Sequence, residues 1–257
     1  MTFKKHKDYH KNKIMEGSKA NEKQKRLVQL ETHSHTAESS GCGRVPAEKL
    51  AEAYAAAGYH TLVVTDHYYQ RLWDREELEG KSWPERVDFY LLGYRRAKAA
   101  GDKLGIRVLL ATEIQFDGTA PYDFLIYGMD EQYILEHPYL NKMRPEEFFD
   151  ICNKEGFLMI HAHPYRKAEK PYWPICYHGV EIFNAHPRHD SHNQKAVHYA
   201  FEHGLLRWSG SDYHQTPDCG RGGILCPPEV DSIPSLIAFV KEQKNPELII
   251  TFEEGED

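Results

Sequence analysis

Short apolar runs recur along this chain, and several close on a polar, chemistry-bearing residue. The runs fall at 27–31, 61–65, 106–111, 122–127, 157–160, 180–183, 206–209 and 248–252. Their length and their β-branched and aromatic content predict buried strands. Between them the apolar spacing becomes helical. Pro46 suits a first helical position, Leu50, Ala51, Tyr54 and Ala57 follow at helical intervals, and Gly58 suits the stop. Residues 84–103 read as one long helix carrying Val87, Leu91, Tyr94 and Ala97, with further helices at 145–155, 189–203 and 232–242. The polar, aromatic segments 70–83 and 167–174 read as loops over one face. Alternating strands and helices argue for parallel βαβ units, and about seven such units favour a closed or nearly closed barrel over an open sheet.

The run endings carry the chemistry. They read QLETHSHT at 29–36, LVVTDH at 62–67, VLLATE at 108–113, LMIHAHP at 158–164 and RWSGSDYH at 207–214. In a barrel of parallel strands these ends share one face. His33, His35, His67, Glu113, His163, Asp212 and His214 would meet there, and converging nitrogen and oxygen donors make a metal site. His33 and His35 are two apart, so both imidazoles point the same way. Glu113 closes an apolar run where an unpaired charge would be costly, so it needs a cation or a partner. Any one of these signals is weak in a chain with 16 histidines. Five at successive strand ends outweigh the reading of ordinary core or surface histidines. His161 reads as a neighbour or packing residue, and His186 as a loop histidine within reach of a substrate.

Length and charge narrow the class. The 257 residues suit one large α/β domain or two small ones and can bury a large core. The net charge is −7, yet residues 1–26 carry nine Lys and Arg against three acids. That segment reads as a basic, solvated extension ahead of a domain at 27–257. The remainder carries −13, which argues against general nucleic-acid binding. No apolar targeting segment or membrane-length run is evident, which points to a cytoplasmic protein with no membrane partner. The five cysteines, among them Cys42 and Cys219 near candidate site loops, include no CxxC pair and read as reduced thiols. No Walker loop, dinucleotide fingerprint or Gly-x-Ser-x-Gly elbow occurs.

Together these motifs resemble the PHP (polymerase and histidinol phosphatase) superfamily. Its pattern of HxHT, TDH, a lone Glu, His-Pro and DxH is matched in order by HSHT at 33–36, TDH at 65–67, Glu113, HP at 163–164 and SDYH at 211–214. GVEIFN, with Glu181 and Asn184, is similar to a further segment of PHP phosphoesterases. The resemblance spans about 27–252 and implies a distorted (βα)7 TIM-like barrel with two or three Zn, Mn or Fe ions. It implies that one ion takes His33, His35, Glu113 and Asp212. A second shares Glu113 and adds His163, and a third takes His67 and His214. Two departures stand out. Ser40 occupies a place where many relatives carry Asp or His. Phe124 or a neighbour stands where many carry a histidine beyond the Glu, with Glu38, Asp117, Asp123 or water as substitutes.

The implied activity is hydrolysis of a small phosphomonoester by a metal-bound hydroxide in a two- or three-metal site. Glu113, with two carboxylate oxygens, is the natural bridge. Asp66 is expected to orient a ligating imidazole. His67 or His214 is expected to protonate the leaving oxygen if the third ion is absent. Arg44, Arg166, Arg188 and Arg221 are candidates for binding phosphate, together with Asn184, and the glycines of GRGG at 220–223 allow either an anion nest or a plain turn. The alternatives are a PHP nuclease or phosphodiesterase, metal-assisted C–N hydrolysis, and a degenerate, non-catalytic metal-binding domain.

Overall fold

Each apolar run becomes a strand, and the segments between them supply helices that cover the strands. A computed structural model describes residues 26–251, so the basic segment lies almost wholly outside the described residues. The strands are β1 (Val28–Glu31), β2 (Thr61–Val64), β3 (His67–Tyr68), β4 (Arg107–Leu110), β5 (Thr112–Ile114), β6 (Asp123–Tyr127), β7 (Leu158–Ala162), β8 (Gly179–Asn184), β9 (Leu206–Gly210), β10 (Gly222–Cys226) and β11 (Glu247–Ile250). The helices are α1 (Ala47–Ala56), α2 (Gln70–Trp73), α3 (Trp83–Tyr90), α4 (Leu92–Leu104), α5 (Glu131–Glu136), α6 (Pro145–Glu155), α7 (Asn193–His203) and α8 (Ile233–Gln243). Among the described residues no helix is long and apolar enough to cross a membrane.

The architecture is mixed α/β with two sheets, ordered β11-β10-β1-β2-β4 and β3-β5-β6-β7-β8-β9. The chain changes sheet four times, between β2 and β3, β3 and β4, β4 and β5, and β9 and β10; the shortest passages are Thr65–Asp66 and Ala111. Ala111 N donates to Val64 O at 2.8 Å and Glu113 N to Asp66 O at 3.2 Å, so hydrogen bonding continues across the junction. On the far side, Tyr213 N donates to His33 O at 3.3 Å and His35 N to Tyr213 O at 3.0 Å, joining the ends of β1 and β9.

Not every strand is parallel. β6 runs antiparallel to both β5 and β7, and β10 runs antiparallel to β1. Only the short segment 115–122 links β5 to β6, too little for a helical crossover, so the chain turns straight back. This reversal places the start of β6, at Asp123, beside the end of β7.

Three expectations are corrected by packing. The long helix at 84–103 breaks at Leu91 into α3 and α4, where Gly93 backs so closely onto Thr36 and Asp66 that a Cβ would lie 1.9 Å from Thr36 Oγ1. Segment 70–83 is no simple loop, because Leu72, Trp73 and Leu78 are buried in an aromatic cluster. GRGG opens β10, which the sequence reading missed. A Cβ on Gly222 would meet the Gly210 carbonyl carbon at 2.3 Å, so the glycine serves close strand approach.

Candidate metal centre

β1 ends in Glu31, and the next residues leave the strand as His33 and His35. Both imidazoles are fully buried and present Nε2 to one point. β5 contributes Glu113 and the turn after β9 contributes Asp212, both carboxylates buried. His33 Nε2 lies 3.4 Å from Glu113 Oε2 and 3.4 Å from Asp212 Oδ1. His35 Nε2 lies 3.2 and 3.3 Å from the same two atoms. The two Nε2 atoms are 3.1 Å apart. A tetrahedron with arms of ~2.0–2.1 Å has edges of ~3.3 Å, the size of this donor set.

The neighbours show which way these groups face. His33 Nδ1 lies 2.9 Å from Glu181 Oε1, which leaves the Nε2 lone pair inward when Nδ1 carries the proton. Glu113 Oε2 is buried without a hydrogen-bond partner. A lone pair on each histidine and an unsatisfied carboxylate oxygen, all facing one point, need a cation between them. The residues therefore fit a divalent ion. Burial opposes charge on His33, yet Asp212, Glu181 and Glu113 hold it well above the ordinary histidine value. Burial likewise opposes charge on His35, and Asp212 and Glu113 raise it to about 9.

Two further donor groups adjoin the first. Glu113 Oε1 is 3.0 Å from His163 Nε2, and Asp123 Oδ2 is 4.0 Å from that nitrogen. Burial, followed by the Glu113 charge, raises Asp123 to about 6. Strand alternation turns the next residue, Phe124, to the other face, where it packs against His161 with ring centroids 4.9 Å apart. On the opposite side His35, His67 and His214 form a third group within ligand distance of one another. His67 Nδ1 is 3.0 Å from Glu113 Oε2, and His214 Nδ1 is 2.7 Å from the Asp212 carbonyl oxygen. Burial lowers His67 to about 3 and His214 to about 4.

The supporting residues account for this convergence. Glu31 Oε1 accepts from Thr32 N, His33 N and Ser211 N, each at 2.9 Å, and its Oε2 accepts from Tyr54 Oη at 2.7 Å. One buried carboxylate thus ties the β1 ending to the β9 ending. Sequence reading missed it, although it obeys the logic applied to Glu113: an acid closing an apolar run. Asp66 accepts from Thr36 N, Thr36 Oγ1 and Ser40 Oγ, each at 2.7 Å, and so holds the loop after His35. Ser40 Oγ also accepts from His67 N at 3.0 Å, which is where the expected Asp or His is replaced. His163 and Asp212 both have positive φ, +28° and +49°, a backbone cost of about 1–3 kcal/mol each. Glu181 Oε2 accepts from His163 N at 2.9 Å and helps to hold that conformation.

The five sequence-selected polar groups for substrate are placed differently from one another. Arg166 is nearly buried, donating to Asp212 Oδ2 at 2.7 Å, to Ser191 Oγ and to Asn184 Oδ1. Asn184 Nδ2 in turn donates to Glu181 Oε2 at 2.9 Å and Asp212 Oδ2 at 3.2 Å. Both therefore aim Asp212 Oδ1 at the histidines. Arg188 forks onto Asp218 with two bonds of 2.6 Å. Arg44, Arg166 and Arg188 line a cleft of about 470 Å³ over the donors, with Lys167 and Cys42 also on its wall. Arg221 lies outside this wall, bonding Ala185 O and lining a neighbouring cavity. All five cysteines are free thiols.

Solved structures share this fold. A two-domain protein from Bacteroides vulgatus, described as containing a predicted PHP-like metal-dependent phosphoesterase, matches over 82% of this chain with TM-score 0.53 and 21% identity. This chain spans 58% of that protein's length. PsfC from Pseudomonas syringae matches over 88% of this chain and 92% of its own, with TM-score 0.59 and 13% identity. No family model and no curated protein matches the chain in sequence. At these identities the likeness is one of fold alone.

Proposed function

We propose that the chain is a metal-dependent phosphoesterase of the PHP superfamily that hydrolyses a small phosphomonoester. The observation that carries this reading is the buried, unpartnered Glu113 Oε2 facing the Nε2 atoms of His33 and His35. The two sheets would then be the walls of one distorted (βα)7 barrel, joined at β1 and β9 through the Tyr213 hydrogen bonds. His33, His35, Glu113 and Asp212 would hold one ion. Glu113 Oε1, His163 and Asp123 would hold a second, which makes Asp123 the substitute for the absent histidine. His67 and His214, beside His35, would hold a third. Donors of this nitrogen and oxygen type suit Zn, Mn or Fe.

Bound divalent ions polarise a phosphoryl oxygen, lower the pKa of water and neutralise the developing charge. The protein's own groups do the rest. Glu181 keeps the His33 Nε2 lone pair inward. Arg166 and Asn184 occupy Asp212 Oδ2, leaving Oδ1 for the site. Glu113 spans the first two donor groups with its two oxygens. Asp66 holds the loop that carries His35 and Ser40. His214, held with Nδ1 on the Asp212 carbonyl, leaves Nε2 as the atom that would face the third ion. Elemental analysis of protein purified without chelator, paired with p-nitrophenyl phosphate turnover, tests the proposal. Two or three ions per chain and phosphate release support it. Bound metal without turnover of any phosphoester would favour a non-catalytic domain instead.

A further inference from the structure

The cleft over the donors has an unusual wall. It includes Arg44, Lys167 and several imidazoles, and no Phe, Tyr or Trp side chain lines it. The wall is polar and charged, and an acyl chain would find no apolar surface there. Two of the four cations on the wall are already neutralised, Arg166 by Asp212 and Arg188 by Asp218. The other two are not. Lys167 is half exposed, with its nearest carboxylate, Asp123, at 3.9 Å. The Arg44 side chain is exposed, and its guanidinium makes no hydrogen bond or ion pair with any described residue.

These two cations flank the donor cluster from opposite sides. Lys167 stands by Asp123 and His163. Arg44 stands by His214, because its backbone N–H donates to the His214 carbonyl at 2.8 Å. A phosphoryl group seated over the donors lies between them. Lys167, a point charge beside the Asp123 group, is placed to face that phosphoryl group. Arg44 is left over, and its planar fork suits a carboxylate or a phosphate held by two bonds.

Resting on the phosphoesterase reading above, we infer that the substrate is a compact phosphomonoester bearing a second anionic group, which Arg44 recognises. A carboxylate and a second phosphate share the required chemistry. A neutral sugar phosphate, a nucleoside monophosphate and a lipid phosphate do not present it in a form this wall matches.

Matched probes test the inference. Glycerol 3-phosphate and 3-phosphoglycerate have the same length and differ by a carboxylate, and propane-1,3-diyl bisphosphate supplies a phosphate in its place. The wild-type protein is expected to favour one or both doubly anionic esters over glycerol 3-phosphate by roughly 10-fold or more in kcat/KM, the worth of a charge-assisted hydrogen bond. Arg44→Ala should bring that ratio close to one, and Arg44→Lys should restore only part of it, since the fork is lost and the charge kept. Whichever ester carries the preference distinguishes carboxylate from phosphate. Isothermal titration with the non-hydrolysable phosphonate analogues of all three gives a readout independent of turnover, and the same ratio should appear in Kd. Hydrolysis of all three with equal efficiency and equal Kd would overturn the inference and leave the phosphoesterase reading standing. Absence of any turnover would defeat that reading, and the analogue affinities would then decide the anion preference alone: equal values overturn it. A preference unchanged in Arg44→Ala would also overturn it.

Discussion

The two ends of the same strands are equally buried and physically opposite. At one end Leu30, Val63, Leu125, Ile160 and Trp208 form an apolar cluster with no solvent exposure. Its few polar atoms are satisfied: Trp208 Nε1 donates to Tyr127 Oη at 2.8 Å, and Tyr127 Oη donates to Thr32 O at 2.8 Å. A few residues further along, β1, β5 and the turns after β7 and β9 present His33, Glu113, His163 and Asp212. These are nearly as buried but border a cleft, Glu113 Oε2 has no hydrogen-bond partner, and two imidazole nitrogens face each other at 3.1 Å. The apolar end is complete once folded. On the proposed reading a cation completes the donor end, which is built on the strands that the other end packs.

The largest expected effect separates the two ends by function. Glu113→Gln keeps the shape and removes the charge. Metal content should fall, and phosphoester turnover should fall by roughly 10³-fold or more, the several kcal/mol that metal-assisted charge stabilisation supplies. Full activity with full metal content in this variant would erase the contrast. Next, Leu30→Ala should lower unfolding stability by about 2–5 kcal/mol in a denaturant titration, with the folded fraction still holding metal. Third, chelation should lower the Tm of the wild type and leave that of Glu113→Gln almost unmoved. Free ion at 1,000 times Kd adds about 4 kcal/mol to a site that binds only the folded state. A chelator shift of equal size in both proteins would mean that the stabilising ion sits elsewhere. The smallest effect sharpens the boundary between the ends. Glu31→Gln keeps an oxygen for the three backbone N–H groups but replaces a carboxylate by a weaker, neutral acceptor, so stability should fall by about 1–3 kcal/mol. Because Glu31 ties His33 to Ser211, metal affinity should weaken with it, as read by competition with a fluorescent chelator.

Much of this was legible in the chain. The apolar runs place eight of the strands because a buried strand needs little more than length and β-branched content. The donors ending those runs are visible because acids and histidines are out of place beside a core. Other features were hidden because they depend on partners distant in sequence. β10 begins with two glycines that look like a turn until Gly210 and Leu30 lie against them. The long helix is interrupted at Leu91, two residues before Gly93 passes close to Thr36 and Asp66. Glu31 closes an apolar run as Glu113 does, but that it ties His33 to Ser211 appears only once the strands meet.

The sequence by itself determined a mixed α/β chain with metal-ligating residue types at its strand ends, since residue chemistry and periodicity are local properties. Only the tertiary structure decided which donor meets which. It reversed β6, which set Asp123 rather than Phe124 beside His163. It turned Arg166 from a free cation into the holder of Asp212 and left Arg44 unclaimed. Distance and direction between remote residues arise from strand pairing and close packing, and no stretch of chain contains them on its own.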